Sequence, residues 1–337
     1  MIESPSPLSP SSSLSPSSSL SPSSSSPLSS PLSAKNYKLP SNIPPSIYFG
    51  GVACGISYFL GIVQRMKETW GEDFHTKTLL CGGSVGSIVA IQLAMGFTLQ
   101  KMIEDTKHIL SQGVEDPCYW SGQNHWLNQY VDQLLAKDPT LYQTLQGRFM
   151  CGTTRAFFTH QWHCTWKDNS DLAKCLKAGY NIPIYCDYCE PFRGEELVDG
   201  AYGLDANGFP HGDETLFIGA DQTCAELNIE SLTVSQMLIP DPEEGFDTLY
   251  QEGIKVYDAW DGYLCEKQGK RGPNYPMLML CWIGKLLQIV YRMICSNIID
   301  TVDTMDSMDS MDTMDTMDTI HCYDSSTMDN IPSDDTS

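Results

Sequence analysis

The chain is poor in positive charge. Its 337 residues include 20 lysines and arginines against 42 aspartates and glutamates, which leaves a formal net charge of −22 at pH 7. A protein that binds nucleic acid through the phosphate backbone needs a basic surface. The composition therefore argues against nucleic acid as a partner.

The chain also lacks the signals of a secreted protein. Its first residues have neither the basic start nor the unbroken apolar run of a secretory signal peptide. The 13 cysteines are odd in number and scattered, unlike the compact framework of a small disulfide-rich domain. Several, such as Cys54, Cys81 and Cys281, lie in apolar runs, where a free thiol behaves as a small hydrophobic group. We therefore expect an intracellular protein, either cytoplasmic or peripherally associated with a membrane.

Both ends of the chain lack the apolar spacing that builds a core. Residues 1–35 are almost entirely Ser, Pro and Leu, and residues 301–337 carry a Met-Asp-Ser/Thr repeat with ten aspartates and no lysine or arginine. A period of three suits neither a helix nor a strand, and the aspartates repel one another. We predict two disordered ends around one folded domain at residues 36–300.

Within residues 36–300 the apolar spacing predicts alternating strands and helices. Strand signals at 46–49 and 78–81 are followed by helical patterns at 56–70 and 85–95. This alternation is typical of the α/β class, in which helices cover a parallel sheet. The pattern further predicts strands within 150–166 and at 215–218, and helices at 98–112, 124–146, 171–178 (capped by Ser170 or Asp171) and 246–260.

Residues 82–86 form a G-x-S-x-G sequence between a predicted strand and a predicted helix. A serine on such a sharp turn presents its hydroxyl outward, and Gly82 and Gly86 avoid a clash across the turn. The helix that begins near Val85 places amide donors beside any oxyanion that forms at the serine. The motif predicts that Ser84 is a nucleophile and that the chain is an acyl hydrolase.

A serine nucleophile needs a base to lose its proton at neutral pH. Asp199 ends an apolar segment, and Gly200 and Ala201 follow it, so that another part of the backbone can approach closely. His211 would instead complete the Ser-Asp-His order of α/β-hydrolases. It follows Asp199 after only twelve positions, within a polar segment at 205–214. The sequence favours Asp199 as the base and keeps the triad as an alternative.

In combination these motifs resemble those of the patatin-like phospholipases. A glycine-rich turn at 50–55, G-x-S-x-G at 82–86 and D-G-A at 199–201 occur in the family's order, within a match over about residues 46–260. The resemblance implies a three-layer α/β/α fold with a mainly parallel central sheet, a Ser84–Asp199 dyad, and neither a metal nor an organic cofactor. It further implies a serine esterase that cleaves fatty acyl esters of glycerolipids or phospholipids, of the phospholipase A or lipase type, through an acyl-enzyme.

The resemblance also assigns the oxyanion hole to the amides of Gly50 and Gly51, with the Val85 amide as a possible third donor. A glycine amide reaches an oxyanion without a shielding Cβ atom. The turn departs from the family pattern, because Val52-Ala53-Cys54 stand where a further glycine and a basic residue are usual. A lipid-binding or regulatory protein without catalytic activity is therefore the alternative.

A C-x-x-C sequence, Cys186 to Cys189, has two interpretations. With His160, His163 and Cys164 upstream, it could complete a tetrahedral zinc site. The chain lacks a second C-x-x-C near it, so we favour unpaired thiols and expect no metal site.

Residues 276–299 are apolar except for Lys285, Gln288 and Arg292, which fall on one helical face. A spanning helix would carry fewer charges in about twenty residues. We predict an amphipathic helix that closes the core with its apolar face. Peripheral contact with a lipid surface is the main alternative.

Overall fold

The computed structural model describes the central part of the chain, and all described residues belong to one unit, Asn36–Ser337. Residues 1–35 and 301–337, which the sequence predicts to be disordered, lie outside the described residues. The described residues are 37–38, 43–115, 125–155, 159–183, 186, 189–203, 208–220, 225–229, 232–233, 236, 239–260, 262–264, 276, 279–280, 282–291 and 294.

The fold is α/β, as the sequence predicts. The strands are β1 (Tyr37–Lys38), β2 (Ser46–Phe49), β3 (Leu79–Gly82), β4 (Phe149–Arg155), β5 (Thr159–His163), β6 (Leu197–Asp199), β7 (Thr215–Ala220), β8 (Leu227–Ile229) and β9 (Tyr263–Leu264). The helices are α1 (Ile56–Trp70), α2 (Gly86–Ala94), α3 (Leu99–Glu115), α4 (His125–Ala136), α5 (Leu141–Leu145), α6 (Asn169–Gly179), α7 (Gly200–Gly203), α8 (Glu244–Ala259) and α9 (282–291).

Seven of the described strands form one mixed and mostly parallel sheet. Its order is β5-β4-β3-β2-β7-β8, and β6 also pairs with β4. The strands from β4 to β8 along this order are parallel to one another, whereas β5 and β6 run antiparallel to β4. The strands β1 and β9 form a separate antiparallel pair.

The pairing of β4 brings two distant segments together. β3 pairs with residues 149–151 of β4, whereas β6 pairs with residues 153–155. Because β5 occupies the other edge of β4 over residues 151–155, β6 must lie on the edge that β3 has left. Asp199 stands opposite Thr153, two positions beyond the last β3 pair, and therefore lies next to the C-terminal end of β3.

Alternate residues of the central strands face opposite sides of the sheet. Ile47 and Leu80 belong to the main core, to which α1, α2, α6 and α8 also contribute. Tyr48 and Cys81 face the other side of the sheet, where they form a smaller cluster together with Phe209 and Phe217. The short apolar strands in the sequence are thus buried on both sides of the sheet.

Most predicted elements are confirmed, with two corrections at helix ends. The predicted helix over 124–146 is divided into α4 and α5, since Pro139 interrupts the helical hydrogen bonds between them. α6 begins earlier than predicted, and its cap is Asp168 rather than Ser170 or Asp171. The Asp168 carboxylate accepts a hydrogen bond of 2.8 Å from the Asp171 amide.

α9 is oriented opposite to the prediction. Lys285 is only 1% exposed, so the polar side of the helix, on which it lies, faces the protein. Leu286 and Leu287, on the apolar side, are more than half exposed. The helix therefore does not close the core with its apolar face. No helix among the described residues has the length and apolar content needed to cross a membrane.

Candidate active site

Ser84 lies on the tight turn between β3 and α2, and its φ angle is +54°. This left-handed conformation is uncommon for a residue other than glycine. Hydrogen bonds of the Ser84 backbone help to hold the turn. The Ser84 amide donates to the Gly179 carbonyl at 3.0 Å, and the Ser87 hydroxyl donates to the Ser84 carbonyl at 2.7 Å. The turn fixes the serine in a strained conformation, which is a recurring property of functional sites.

The two glycines that flank Ser84 are required by close packing. A Cβ atom on Gly82 would overlap the backbone of Ser87, and one on Gly86 would overlap the carbonyl oxygens of Phe49 and Gly50. The absence of side chains at Gly82 and Gly86 therefore allows the end of β2 to pack against the start of α2, beside Ser84.

Asp199, the last residue of β6, is fully buried. Its amide donates to the Asn181 carbonyl at 2.8 Å, and its carbonyl accepts from the Thr154 hydroxyl at 2.9 Å. The carboxylate atom Oδ1 accepts from the Ala201 amide at 2.7 Å. Gly200 lets the chain pass so close to Gly152 that a Cβ atom there would overlap the Gly152 carbonyl. These contacts fix the orientation of the carboxylate.

The second carboxylate oxygen of Asp199 is placed to act as a proton acceptor. Oδ2 is buried and makes no well-formed hydrogen bond within the described part of the chain. Burial raises the pKa of Asp199 to about 7, although the neighbouring Ser84 hydroxyl and the Ala201 amide act to lower it. The structure thus brings the two predicted dyad residues together, with one carboxylate oxygen free to receive a proton.

The amides near Ser84 divide into engaged and free donors. The Gly50 amide donates to the Ile218 carbonyl at 2.8 Å, which extends the pairing of β2 with β7. It is therefore not available to an oxyanion, which corrects the prediction for Gly50. The Gly51 and Val85 amides donate to no described residue. Gly51 lies directly against Ser84, since a Cβ atom on it would be 3.2 Å from Ser84 Cβ.

His211 is not brought to this site. It is exposed and precedes β7, whose first residue Thr215 pairs with Ser46 at the start of β2. Ser84 instead follows the C-terminal end of the neighbouring strand β3. Within the described residues, His211 makes no hydrogen bond or ring contact with Ser84 or Asp199. The geometry favours the dyad over the triad.

The residues considered for zinc have other partners. His163 Nε2 forms a hydrogen bond of 2.8 Å with the Thr153 hydroxyl, and burial lowers the pKa of this histidine to about 4. The Cys186 thiol contacts the Ile182 amide at 3.4 Å. Among the residues that the structure describes, no group of histidine, cysteine and carboxylate side chains could hold a metal ion.

Three supporting residues were not predicted from the sequence. Asn181 and Thr154 hold the Asp199 backbone, and Gly179 accepts the Ser84 amide. Gly179 and Asn181, at the end of α6 and just after it, contribute backbone carbonyls, and Thr154 of β4 contributes its hydroxyl. Such contacts depend on strand pairing and leave no local motif. No model of a known protein family matches the chain, and no curated protein matches it either.

Proposed function

We propose that the chain is a serine hydrolase of lipid acyl esters, of the phospholipase A or lipase type. Ser84 is the nucleophile and Asp199 is the general base. The observation that carries the proposal is the buried Asp199 Oδ2 atom, without a well-formed hydrogen bond within the described residues, beside the hydroxyl of a strained serine. The Gly51 backbone packs against Ser84, and the Gly51 and Val85 amides donate to no described residue, which supports their assignment to an oxyanion hole.

The geometry supports a two-step mechanism. The Ser84 hydroxyl oxygen attacks the ester carbonyl carbon while its proton passes to Asp199 Oδ2. The negative charge that develops on the carbonyl oxygen is stabilised by the Gly51 and Val85 amides. Collapse of the tetrahedral intermediate releases the alcohol, which takes the proton from Asp199. Water then attacks the acyl-enzyme and gives a proton to Asp199. The Ser84 oxygen leaves as the fatty acid is released, and it takes that proton from Asp199, which restores the starting state.

The raised pKa of Asp199 suits this role. A carboxylate of ordinary pKa is a weak base, whereas one with a pKa of about 7 is still ionised in part at neutral pH and accepts a proton more readily. Burial supplies this shift because it penalises the charged form. The same burial keeps water away from the carboxylate before the substrate binds.

The finer assignment, a patatin-like three-layer α/β/α fold, rests on the motifs and their order. A mostly parallel mixed sheet with helices packed against it is consistent with this assignment. The choice of glycerolipids or phospholipids as substrates follows from the same resemblance. It is the part of the proposal that depends least on geometry.

The proposal is tested with a fluorophosphonate probe, which labels only an activated serine. We expect the full chain to be labelled, Ser84→Ala to be unlabelled, and Asp199→Asn to react about 10²–10⁴-fold more slowly, as for loss of a general base. Ser111→Ala, a serine on α3 whose hydroxyl donates to the His108 carbonyl, is the matched control and should be labelled normally. Hydrolysis of fluorescent phospholipids and triacylglycerols then identifies the substrate class.

The inactive lipid-binding alternative makes the opposite prediction for the same probe. Its motivation is the changed glycine-rich turn, in which Val52-Ala53-Cys54 interrupt the pattern of the patatin-like family. An unlabelled wild-type chain that is folded by circular dichroism would reject the hydrolase and favour this alternative. Labelling that persists in Ser84→Ala would reject the dyad assignment itself.

A further inference from the structure

The outer side of α9 and its flanking helical residues is apolar. Seven side chains at helical spacing are each 43–64% exposed, and none of them carries a charge. A helix on a protein surface ordinarily turns such a stripe towards the core. We call this set the α9 apolar face, and its members are Met279, Leu280, Ile283, Leu286, Leu287, Val290 and Ile294.

The opposite, polar side of α9 is fixed to the protein. The buried Lys285 ammonium donates to the Cys189 carbonyl at 3.0 Å and forms an ion pair of 2.8 Å with Glu196. The Gln288 amide donates to the carbonyls of Pro183 and Cys186 at 2.9 and 2.7 Å. Turning the helix to bury its apolar side would break all four contacts and leave buried polar groups without partners. The outward direction of the α9 apolar face is therefore built into the fold.

The residues that bind Lys285 and Gln288 precede β6 in the sequence, and β6 ends at Asp199 in the candidate active site. Glu196 is three positions before Asp199, and Trp282 of α9 packs in a small cluster around Val198, the residue next to Asp199. Leu197 belongs to the main core, so Val198 and α9 lie on the other side of β6. The helix α9 thus covers the outside of the segment that carries the candidate base, and its apolar face points away from that segment.

We propose that the α9 apolar face inserts into the surface of a zwitterionic phospholipid bilayer. A helix with a polar side held by protein and an uncharged apolar side is suited to lie in the interface plane. Each exposed apolar side chain gains individually from leaving water, so the face needs no shape-complementary partner. The proposal does not depend on the chemistry assigned to Ser84.

The charge of the chain disfavours a second copy as the partner of the α9 apolar face. A second copy would bring another net charge of −22 against the first.

The charge of the chain also selects the kind of bilayer. An anionic surface would repel a protein of net charge −22, whereas a zwitterionic surface has no net charge. The α9 apolar face has no basic residue that would favour anionic headgroups. Binding should therefore depend on apolar contact and little on salt.

The test is co-sedimentation with phosphatidylcholine vesicles, with Ser84→Ala as the background so that the lipid is not hydrolysed. We expect the full chain to sediment with the vesicles, and the double variant Leu286→Glu/Leu287→Glu to bind at least tenfold more weakly. Val114→Glu is the matched control, because Val114 is a similarly exposed apolar residue on α3, and it should bind normally. A second double variant, Ile283→Gln/Val290→Gln, should repeat the loss without adding charge.

The outcomes separate the possible occupants of the face. Loss of sedimentation in both double variants, with the circular-dichroism spectrum unchanged, supports the proposal. A full chain that does not sediment, or double variants that sediment normally, would overturn it. A dimer by light scattering that the double variants dissociate, without vesicle binding, would overturn it in favour of a second copy. Equal or stronger binding to phosphatidylserine vesicles would overturn the choice of a zwitterionic surface.

Discussion

The backbone of Gly51 lies directly beside the side chain of Ser84. A Cβ atom on Gly51 would be 3.2 Å from Ser84 Cβ, 3.5 Å from Ser84 Oγ and 3.1 Å from Ala201 Cβ. The distances to Ser84 Cβ and Ala201 Cβ are tighter than ordinary van der Waals contact, so a side chain at position 51 would push Ser84 or the Ala201 turn out of place. The absence of a side chain at Gly51 therefore allows its backbone to lie directly against Ser84.

We therefore expect Gly51→Ala to lower kcat/KM about 10²-fold while the protein stays folded, because small displacements of reacting groups are costly. The double variant Gly51→Ala/Ala201→Gly should recover part of this loss, since it removes one of the two contacts. Ester hydrolysis is the measurement, and thermal unfolding is the control for folding. Full activity in Gly51→Ala would show that this backbone is remote from the reaction.

The raised pKa of Asp199 predicts a pH-dependent reaction. The base must be ionised to accept the Ser84 proton, and its pKa is about 7. We expect kcat/KM to fall about tenfold for each pH unit below 7 and to level off above 8. The measurement is hydrolysis of an uncharged ester between pH 4.5 and 9. If kcat/KM stayed constant from pH 8 down to pH 5, the reaction would not depend on a base with a raised pKa.

The same shift predicts that Asp199 destabilises the folded protein at alkaline pH. A carboxyl whose folded-state pKa is raised stabilises the fold only while it is protonated, so this stability is present below about pH 4 and is lost as the pH rises through 7. Asp199→Asn can still accept the Ala201 hydrogen bond but does not titrate. Urea unfolding should show the variant gaining about 3 kcal/mol over the wild type between pH 5 and pH 8. A difference that does not change with pH would contradict the assigned shift.

The elements that carry the site were predictable because their signals are local. The strand at 46–49, the turn at 82–86 and the helix that follows are encoded by short apolar runs, by apolar residues at helical spacing and by glycines that close contacts require. Asp199 was also singled out from the residues beside it, and the structure places it next to Ser84. Its pKa of about 7 was not predicted, because the shift arises from burial that the whole fold provides.

The errors concern contacts between segments that are distant in sequence. Engagement of the Gly50 amide follows from pairing of β2 with β7, which lies more than 160 positions downstream. The polar stripe of α9 was recognised correctly, but its direction depends on Glu196 and on the carbonyls of the preceding segment. A periodic pattern identifies two sides of a helix and does not determine which side the protein binds.

The last prediction concerns the strained backbone conformation of Ser84. We expect this conformation to lower the stability of the fold while it holds the Ser84 hydroxyl in place. Ser84 has a φ of +54°, a region that costs residues with a Cβ atom about 1–2 kcal/mol relative to glycine. Ser84→Gly and Ser84→Ala both remove the hydroxyl, so they differ only in that Cβ atom. We expect the glycine variant to have the larger free energy of unfolding by about 1 kcal/mol, after the greater chain entropy of glycine is subtracted. Urea denaturation of the two inactive variants provides the measurement, and equal stabilities would mean that the turn relaxes and that Ser84 is not held under strain.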